Sequence, residues 1–321
     1  MEYVVIAIVL LAFEFAYLQI ARSLKLVDLP HHQSSHRGWV IRGGGVIFYA
    51  AYLLWSVANG FKWGGGLLGL TILAGISFID DVRNVSPVIR LICQFIAIIV
   101  MFDHSGLLGN SLHVIVILAI ACVGTINIYN FMDGINGMTG GYSLVVSLAL
   151  LYVNKYMVQF APESLLMYVT LSIVVFCIFN FRRRAKCFAG DVGSLSIGFI
   201  LVFFVLILAL RSHSMSWIAM LIVYMVDGGM TILHRILLRE NLMRPHKKHA
   251  YQIMANELKL PHLVVSGIYM GLQAVCCACY IACPGYLTLS LEAMILVAMY
   301  LVFMKKYYHL HAFGLTGNGE I

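Results

Sequence analysis

Long apolar runs, separated by short polar joints, dominate the chain. A helix that crosses a bilayer needs about 20 mostly apolar residues, and runs near that length occur about eleven times. The runs are continuous rather than alternating, which favours helices over the strands of a membrane barrel. The pattern therefore predicts eleven helices, over 3–21, 44–59, 64–79, 88–102, 112–130, 138–154, 165–181, 192–210, 215–234, 262–282 and 287–304.

Composition supports the same class of protein. The 321 residues are 61% hydrophobic and 11% charged, with a mean hydropathy of +0.91, whereas soluble domains have about 45–50% apolar and about 25% charged residues. This excludes a soluble enzyme, a disordered protein and a disulfide-stapled secreted domain. The eight cysteines lie almost entirely in apolar runs, where we interpret them as reduced, buried thiols. We predict an all-α, polytopic integral membrane protein in which residues 1–321 form a single transmembrane domain.

The basic residues predict an orientation. If the N-terminus faces outward, 18 of the 21 Lys and Arg residues fall in joints on one side, and only Lys62, Lys155 and Arg211 fall on the other. The positive-inside rule then places the N-terminus outside and the C-terminus in the cytoplasm. No basic stretch precedes the first run and no small-residue cleavage site follows it, so we expect a retained first span. The net charge of +7 indicates affinity for headgroups and phosphates rather than for nucleic acid.

Five polar clusters emerge on the predicted cytoplasmic face, and the first two combine carboxylates with glycine or arginine. The first begins at Asp28 and ends in the glycine run 42–45, whose backbone could approach a phosphate, although a flexible loop is the alternative. The second is Asp80-Asp81, followed by Arg90. Adjacent carboxylates need a cation or a shared proton, and magnesium that carries substrate phosphates is a common partner. Capping of the next helix is the alternative for this pair.

The third and fourth clusters add amide and carboxylate oxygens. Asn127, Asn130 and Asp133 share one face of a helix, where they could bind a hard cation or a nucleotide, or form hydrogen bonds between helices. Asp191 begins the eighth run, shortly after Arg182–Arg184. A helix N-terminus and basic residues both favour phosphate, although the arginines could instead anchor the protein at the membrane surface.

The fifth cluster is a basic segment that contains two histidines. It extends from Asp227 and Arg235 to 244–252, with His246 and His249 three residues apart. No cysteine or carboxylate stands at a spacing that would complete a zinc site, so we interpret the segment as a cationic grip on a diphosphate. A solvated basic loop is the alternative.

Together these clusters resemble the polyprenyl-phosphate N-acetylhexosamine-1-phosphate transferase superfamily, also called glycosyltransferase family 4. The resemblance extends over residues 28–252, and five matching motifs in order on one membrane face are highly specific. The first motif consists of Asp28-Leu29-Pro30, Ser35-His36 and Arg42-Gly43-Gly44-Gly45. The other four are Asp80-Asp81, Asn130-Phe131-Met132-Asp133-Gly134, Phe188-Ala189-Gly190-Asp191-Val192-Gly193-Ser194 and His246-Lys247-Lys248-His249-Ala250-Tyr251-Gln252.

The resemblance implies a fold of ten or eleven transmembrane helices with a cytoplasmic active-site cleft, in a bacterial inner membrane. It implies transfer of a sugar-1-phosphate from a UDP-sugar to undecaprenyl phosphate, with release of UMP. The histidine segment is similar to the branch that begins O-antigen or capsule repeat units with GlcNAc, QuiNAc or FucNAc. Gln33, Asn136 and Arg182–Arg184 depart from the pattern of many relatives, which leaves the sugar open. Oligomeric state is open too, with a homodimer as one option.

The resemblance also implies roles for individual residues. It assigns Mg²⁺, with Mn²⁺ as a substitute, to Asn130 and Asp191, with Asp133 near. The candidate catalytic residues are Asp80, Asp81, Asp133 and Asp191. The candidate substrate-binding residues are Arg42, Arg90, Asn127, Asn180, Lys186, Arg235, His246 and His249.

The role of the Asp80-Asp81 pair is open among nucleophile, base and positioning group. The second pKa of a phosphate monoester is about 6, so the lipid phosphate is already mostly dianionic at neutral pH. We therefore favour its direct attack on the UDP-sugar.

Two other functions compete with this interpretation. A lipid or nucleotide-sugar transporter would place its polar groups near the bilayer midplane or on both faces, whereas these clusters gather on one face. Within the same class, phospho-MurNAc-pentapeptide transfer is the alternative, although that enzyme carries a denser histidine run.

Overall fold

The computed structural model describes residues 1–28, 40–241 and 246–312. Pro30, Gln33 and Ser35-His36 of the first motif region, and Arg244-Pro245 of the fifth, lie outside the described residues.

Each of the eleven predicted runs coincides with a helical segment. Two-residue strands and short helical turns connect some of them. The elements are α1 (Glu2–Ser23), β1 (Val27–Asp28), β2 (Val40–Ile41), α2 (Val46–Ala58), α3 (Gly64–Val82), α4 (Pro87–His104), a 3-10 turn (Leu107–Gly109), α5 (Leu112–Met132), α6 (Met138–Tyr156), α7 (Glu163–Asn180), α8 (Gly190–Ser212), a 3-10 segment (Met215–Leu221), α9 (Ile222–Leu237), α10 (Ala250–Gln252), a π turn (Ile253–Glu257), α11 (His262–Ala282) and α12 (Tyr286–Ala312).

The helices form a multi-pass membrane architecture. In the described ranges, nine helical segments are long and apolar enough to cross a bilayer. The two remaining predicted runs correspond to α6 and to α2, which has only 13 residues. The all-α, polytopic class is thus confirmed, while the count of eleven spans and the orientation stay predictions.

Helix α8 lies at the centre of the bundle. In the most apolar 18-residue stretch of α8, 94% of the residues are buried. The corresponding share is 22% for both α1 and α12, which lie at the periphery. A helix that is apolar on every side is stable only when neighbours surround it, and α8 packs against α2, α3, α5 and α6. The first turn of α8 carries Asp191, so this packing places that carboxylate at the meeting point of several helices.

Two glycines allow α2 to begin directly against α8. A Cβ atom on Gly45 would lie 2.4 Å from the Cα atom of Gly193, closer than any real contact permits. The two backbones therefore touch at this crossing, which fixes the segment that precedes α2 over the first turn of α8.

Candidate active site

The first and fourth motifs meet through backbone hydrogen bonds. The N–H of Phe188 donates to the carbonyl of Ile41 over 2.8 Å, and the N–H of Gly44 donates to the carbonyl of Phe188 over 2.9 Å. These bonds lie on either side of Arg42. Its guanidinium is therefore held beside the N-terminus of α8.

Asp81, at the end of α3, accepts hydrogen bonds from backbone N–H groups at the start of α8. Its carboxylate accepts hydrogen bonds from the backbone N–H of Asp191 over 3.0 Å and of Val192 over 2.9 Å. It also pairs with Arg42 Nε at 3.0 Å. The first N–H groups of a helix lack partners within the helix, so Asp81 acts as a cap supplied by another helix. Both of its oxygens are engaged by protein groups.

Asp80 points to Arg90 instead. One Asp80 oxygen accepts the N–H of Val85 at 2.7 Å, and the other lies 2.6 Å from Arg90 Nη1. The same Arg90 nitrogen lies 2.9 Å from Asp191 Oδ2. A single guanidinium therefore bridges the carboxylates of α3 and α8 from the first turn of α4, and it remains partly open to solvent.

Asn130 brings α5 into the site. Its side-chain amide donates to Asp191 Oδ1 at 3.0 Å and to the hydroxyl of Ser194 at 2.9 Å. The third motif thus touches the fourth through the residue pair assigned to a metal. The O and N positions of an amide follow from the hydrogen-bond network, so a turned amide would present its oxygen to the same place.

Asp133 follows the last turn of α5 and lies in the same region. Burial raises its pKa to about 7, and the charges of Asp191 and Asp81 add to that effect, while the Thr139 hydroxyl and Arg42 oppose it. The Thr139 hydroxyl donates to Asp133 Oδ1 over 2.7 Å. The carboxylates of Asp80, Asp81, Asp133 and Asp191, here called the acidic cluster, outnumber the guanidinium groups of Arg42 and Arg90 that pair with them.

The acidic cluster fits a divalent cation by charge and by donor type. Carboxylate and amide oxygens are the ligands that magnesium prefers, and it usually keeps waters and substrate phosphates as its other ligands. Among the described residues, no three acidic, histidine or cysteine side chains gather closely enough to form a closed metal site. This set therefore suits an open site whose coordination a substrate completes.

Asn127 faces another helix. Its amide nitrogen donates to Gln94 Oε1 at 2.7 Å, and the Gln94 amide donates back to Asn127 Oδ1 at 3.3 Å. This pair joins α5 to α4 one turn beyond Arg90. The geometry matches the alternative of hydrogen bonds between helices, and a substrate contact for Asn127 stays a prediction.

Asn180 and Asn136 tie loops together around the cluster. Asn180 accepts the N–H of Gly137 at 2.8 Å and donates to the carbonyl of Cys187 at 2.9 Å. Asn136 donates to the carbonyls of Arg182 and Arg183 at 2.9 and 3.2 Å. Both amides are buried, and in this structure they hold the backbone of the loops next to the third and fourth motifs.

Lys186 lies in the same loop, directly before the fourth motif. Its backbone N–H donates to the carbonyl of Phe179 at 2.9 Å, and its side chain is exposed to solvent. Its predicted contact with the nucleotide stays a prediction.

The histidine segment packs against the third motif. The rings of His246 and His249 lie 6.4 and 6.2 Å from the ring of Phe131, and the Tyr251 hydroxyl donates to the Phe131 carbonyl at 2.8 Å. Burial lowers the pKa of His246 to about 3, with the nearby charges of His249 and Arg235 adding to the effect. His246 is therefore neutral at physiological pH and offers hydrogen bonds rather than the expected positive charge.

Arg235 supports this segment through Glu240. Its Nε lies 3.1 Å from Glu240 Oε2, and a guanidinium nitrogen donates to the carbonyl of Asn241 at 2.7 Å. Lys248 pairs with the same Glu240 carboxylate. Burial alone would raise the pKa of Glu240, but hydrogen bonds from Lys248 and Arg235 hold it below its ordinary value. Arg235 thus anchors the chain that leads to the histidines, and its direct contact with substrate stays a prediction.

The structure joins all five motifs at one end of the bundle. Arg42, Asp80, Asp81, Arg90, Asn130 and Asp191 form one network of hydrogen bonds and ion pairs. Sequence reasoning did not single out Gln94 and Thr139, which bond to Asn127 and Asp133 of the third cluster, or Tyr269, which bonds to Asp227 of the fifth. Gln94 stands four residues after Arg90, a helical spacing that carried a usable signal. Thr139 and Tyr269 carried none.

Comparison with known proteins agrees with this site. The family described as glycosyl transferase family 4 matches residues 63–209. That range includes the acidic cluster, Arg90 and Asn130, whereas the histidine segment lies beyond it. The undecaprenyl-phosphate alpha-N-acetylglucosaminyl 1-phosphate transferase of Yersinia pestis is 28% identical over 228 residues, which are 64% of this chain and 61% of that protein.

Two further relatives have related names. The probable undecaprenyl-phosphate N-acetylglucosaminyl 1-phosphate transferase of Bacillus subtilis (strain 168) is 25% identical over 73% of this chain and 70% of that protein. The decaprenyl-phosphate N-acetylglucosaminephosphotransferase of Mycobacterium leprae (strain TN) is 24% identical over 72% and 70%, respectively. The chain spans less than two thirds of the Yersinia pestis relative's length.

These matches support the resemblance that the motifs indicate: residues 63–209, just under half of the chain, match glycosyl transferase family 4, and the similar proteins are named as undecaprenyl- or decaprenyl-phosphate N-acetylglucosamine 1-phosphate transferases.

Proposed function

We propose that this protein transfers an N-acetylhexosamine-1-phosphate from a UDP-sugar to undecaprenyl phosphate, giving undecaprenyl-diphosphate-sugar and UMP. One observation carries the proposal. The Arg90 guanidinium bridges Asp80 and Asp191 next to Asn130, where five motifs meet at the end of a membrane bundle. A phosphate on a membrane lipid and a diphosphate from the adjoining aqueous phase could both reach such a place.

The names of the relatives support the lipid and the sugar class. Those of Yersinia pestis and Bacillus subtilis (strain 168) are named for undecaprenyl phosphate and N-acetylglucosamine. We infer a UDP-N-acetylhexosamine as donor, with GlcNAc, QuiNAc and FucNAc as the candidates. The product would begin an O-antigen or capsule repeat unit at a bacterial inner membrane.

The proposed reaction is a phosphoryl transfer between two anions. An oxygen of the lipid phosphate forms a bond to the β-phosphorus of the UDP-sugar. The bond from that phosphorus to the oxygen shared with the α-phosphorus breaks, and this oxygen leaves with UMP. Positioning and neutralisation of charge supply most of the catalysis in such reactions. Arg90 would hold the lipid phosphate, and Arg42 lies where it could bind a second phosphate group.

Mg²⁺ would be held by Asp191 and Asn130, with Asp133 close by. Bound there, it would neutralise charge on the diphosphate oxygens. Arg90 now pairs with Asp191, so metal binding would leave this arginine available for an anionic substrate.

The geometry separates the roles of the two adjacent aspartates. Asp81 is engaged by two backbone N–H groups and Arg42, which favours a supporting role. Asp80 is partnered by Val85 and Arg90, so we infer that it orients Arg90 towards the lipid phosphate. A phospho-sugar adduct trapped on Asp80 without acceptor lipid would contradict direct attack.

The test is UMP release by the purified protein with undecaprenyl phosphate, Mg²⁺ and a panel of UDP-N-acetylhexosamines. We expect release that requires the lipid, ceases with EDTA and returns with excess Mg²⁺. Asp191→Asn should lower kcat at least 100-fold, whereas Asp103→Asn, the same change at an exposed position at the far end of α4, should retain activity. Folded protein that releases no UMP with any donor would contradict the proposal.

A further inference from the structure

Another buried carboxylate, Asp227, lies on α9, outside the acidic cluster. Asp227 is 4% exposed, and its Oδ2 accepts the Tyr269 hydroxyl of α11 over 2.5 Å. Its Oδ1 accepts the backbone N–H of Ala250 over 3.1 Å and the Thr231 hydroxyl over 3.3 Å. Helices α9, α10 and α11 thus converge on one carboxylate that none of the five matching motifs contains.

This carboxylate faces His249. Nδ1 of His249 lies 3.6 Å from Asp227 Oδ1, the distance of an ion pair. The imidazole is 1% exposed, and among the described residues neither ring nitrogen has a hydrogen-bond partner; Nδ1 has the Asp227 carboxylate beside it, whereas Nε2 has no such neighbour. Burying a polar nitrogen without a partner costs free energy, so this atom is suited to a ligand that the protein binds.

The groups around His249 indicate that this ligand is an anion. The ring packs beside Phe131, which directly follows Asn130 in the sequence. Its other ring neighbours are His246, with centroids 4.9 Å apart, and Tyr251, at 5.8 Å. Asp227 is the carboxylate beside this imidazole. Nε2 can donate to an anion only when both ring nitrogens carry a proton, and a carboxylate beside Nδ1 and an anion at Nε2 would together stabilise that form.

We propose that Asp227 is a positioning residue that holds Nδ1 of His249 towards α9, so that Nε2 is presented to a diphosphate oxygen of the nucleotide sugar. This inference rests on the proposed function for the identity of the ligand. The alternative is that Asp227 only caps α10 through Ala250.

A double-mutant cycle separates the two roles. Asp227→Asn keeps the shape of the side chain and removes its charge, and we expect it to lower kcat/KM for UMP release about 10- to 100-fold. His249→Gln should lower it at least as much. If Asp227 acts through His249, the double variant should be no slower than His249→Gln alone. Losses that multiply would overturn the inference.

Two further variants guard against a folding artefact. Tyr269→Phe removes one hydroxyl from Asp227 and leaves the carboxylate, so a several-fold loss that disappears in the His249→Gln background is expected. Tyr300→Phe is the matched control, because the Tyr300 hydroxyl contacts Thr231 at 3.0 Å rather than Asp227. It should retain activity within about twofold.

A readout without turnover distinguishes failure of this inference from failure of the proposed function. In protein labelled with ¹⁵N-histidine, the signal lost in His249→Gln identifies His249. We expect that signal to report a protonated Nδ1 in the wild type and to change in Asp227→Asn. An unchanged signal would overturn the positioning role even in an active enzyme. A changed signal in a protein that releases no UMP would leave the pairing intact and contradict the transferase.

Discussion

Asp80 and Asp81 are adjacent in sequence but bind different partners. Successive residues on a helix point about 100° apart, so Asp81 turns to the start of α8 while Asp80 turns to Arg90. Repulsion between the neighbours is relieved because each carboxylate has its own guanidinium, Arg42 for Asp81 and Arg90 for Asp80. The pair is therefore two separate contacts rather than a single site for a shared proton.

This difference predicts that an Asp→Asn substitution lowers stability at position 81 and kcat at position 80. Asp81→Asn replaces one accepting oxygen with a donor, which leaves a backbone N–H of α8 without a partner and should lower the free energy of unfolding by about 1–3 kcal/mol. Asp80→Asn should lower kcat with little change in stability. Thermal unfolding in detergent and UMP release would measure both. Equal melting temperatures for the two variants would contradict the capping role of Asp81.

Asn136 offers a second residue-level prediction. Its amide donates to two carbonyl oxygens, of Arg182 and Arg183, and a carboxylate cannot donate. Asn136→Asp would place a buried negative charge against both carbonyls, so we expect it to reduce stability by several kcal/mol. Asn110→Asp is the control, because this exposed amide donates only to Leu107. Unfolding midpoints that fall equally in both variants would show that burial is not the cause.

At the scale of elements, α8 organises the site because its first turn collects contacts from four other elements. Asp81 comes from α3, Arg90 from α4 and Asn130 from α5, and the start of α2 crosses at Gly193. The close crossing requires two glycines, since side chains there would separate the backbones. The position of Asp191 therefore depends on the packing of α2 as well as on its own helix.

The crossing predicts a contrast between glycines. Gly45→Ala places a Cβ atom against the Gly193 backbone and the Ala189 carbonyl, which cannot move aside easily, so stability and activity should both fall. Gly75→Ala, on α3, meets nothing within 4 Å and should be neutral or stabilising by up to about 1 kcal/mol. Unfolding temperature and UMP release measure both. Full activity in Gly45→Ala would show that the crossing can relax.

Helices and motif residues could be predicted from the sequence, because apolar length and spacing are local signals. All eleven runs match helices, and the motif residues from Arg42 to His249 meet at one end of the bundle. Contacts across the fold could not be predicted. Asp81 caps a helix that begins more than 100 residues later, and Gln94 pairs with an amide on the next helix. The spacing of Gln94 from Arg90 indicates a shared helix face, but no pattern in the chain indicates which residue of another helix either side chain contacts.

At the scale of the whole molecule, charge is divided between the two ends of the bundle. Asp191 and Arg211 mark opposite ends of α8, about 30 Å apart at 1.5 Å per residue. The motif end also holds Arg42, Arg90 and Arg235, whereas Lys155 ends α6 at the other side. This division is the basis of the predicted orientation, with the site facing the cytoplasm.

An exposed native cysteine allows that orientation to be tested. Cys283 lies between α11 and α12, at the end of the bundle predicted to face outward, so a membrane-impermeant maleimide should label it in intact spheroplasts. Cys283→Ser should abolish this labelling. In that background, Arg184→Cys places a thiol in the exposed loop before α8 and should react only after the membrane is opened. Labelling of the Cys283→Ser/Arg184→Cys variant in intact spheroplasts, together with no labelling of Cys283 in the wild type, would reverse the orientation. The acidic cluster would then face away from the cytoplasm, which supplies nucleotide sugars. The proposed transfer therefore requires that Cys283 is labelled in intact spheroplasts and that Arg184→Cys is labelled only in opened ones.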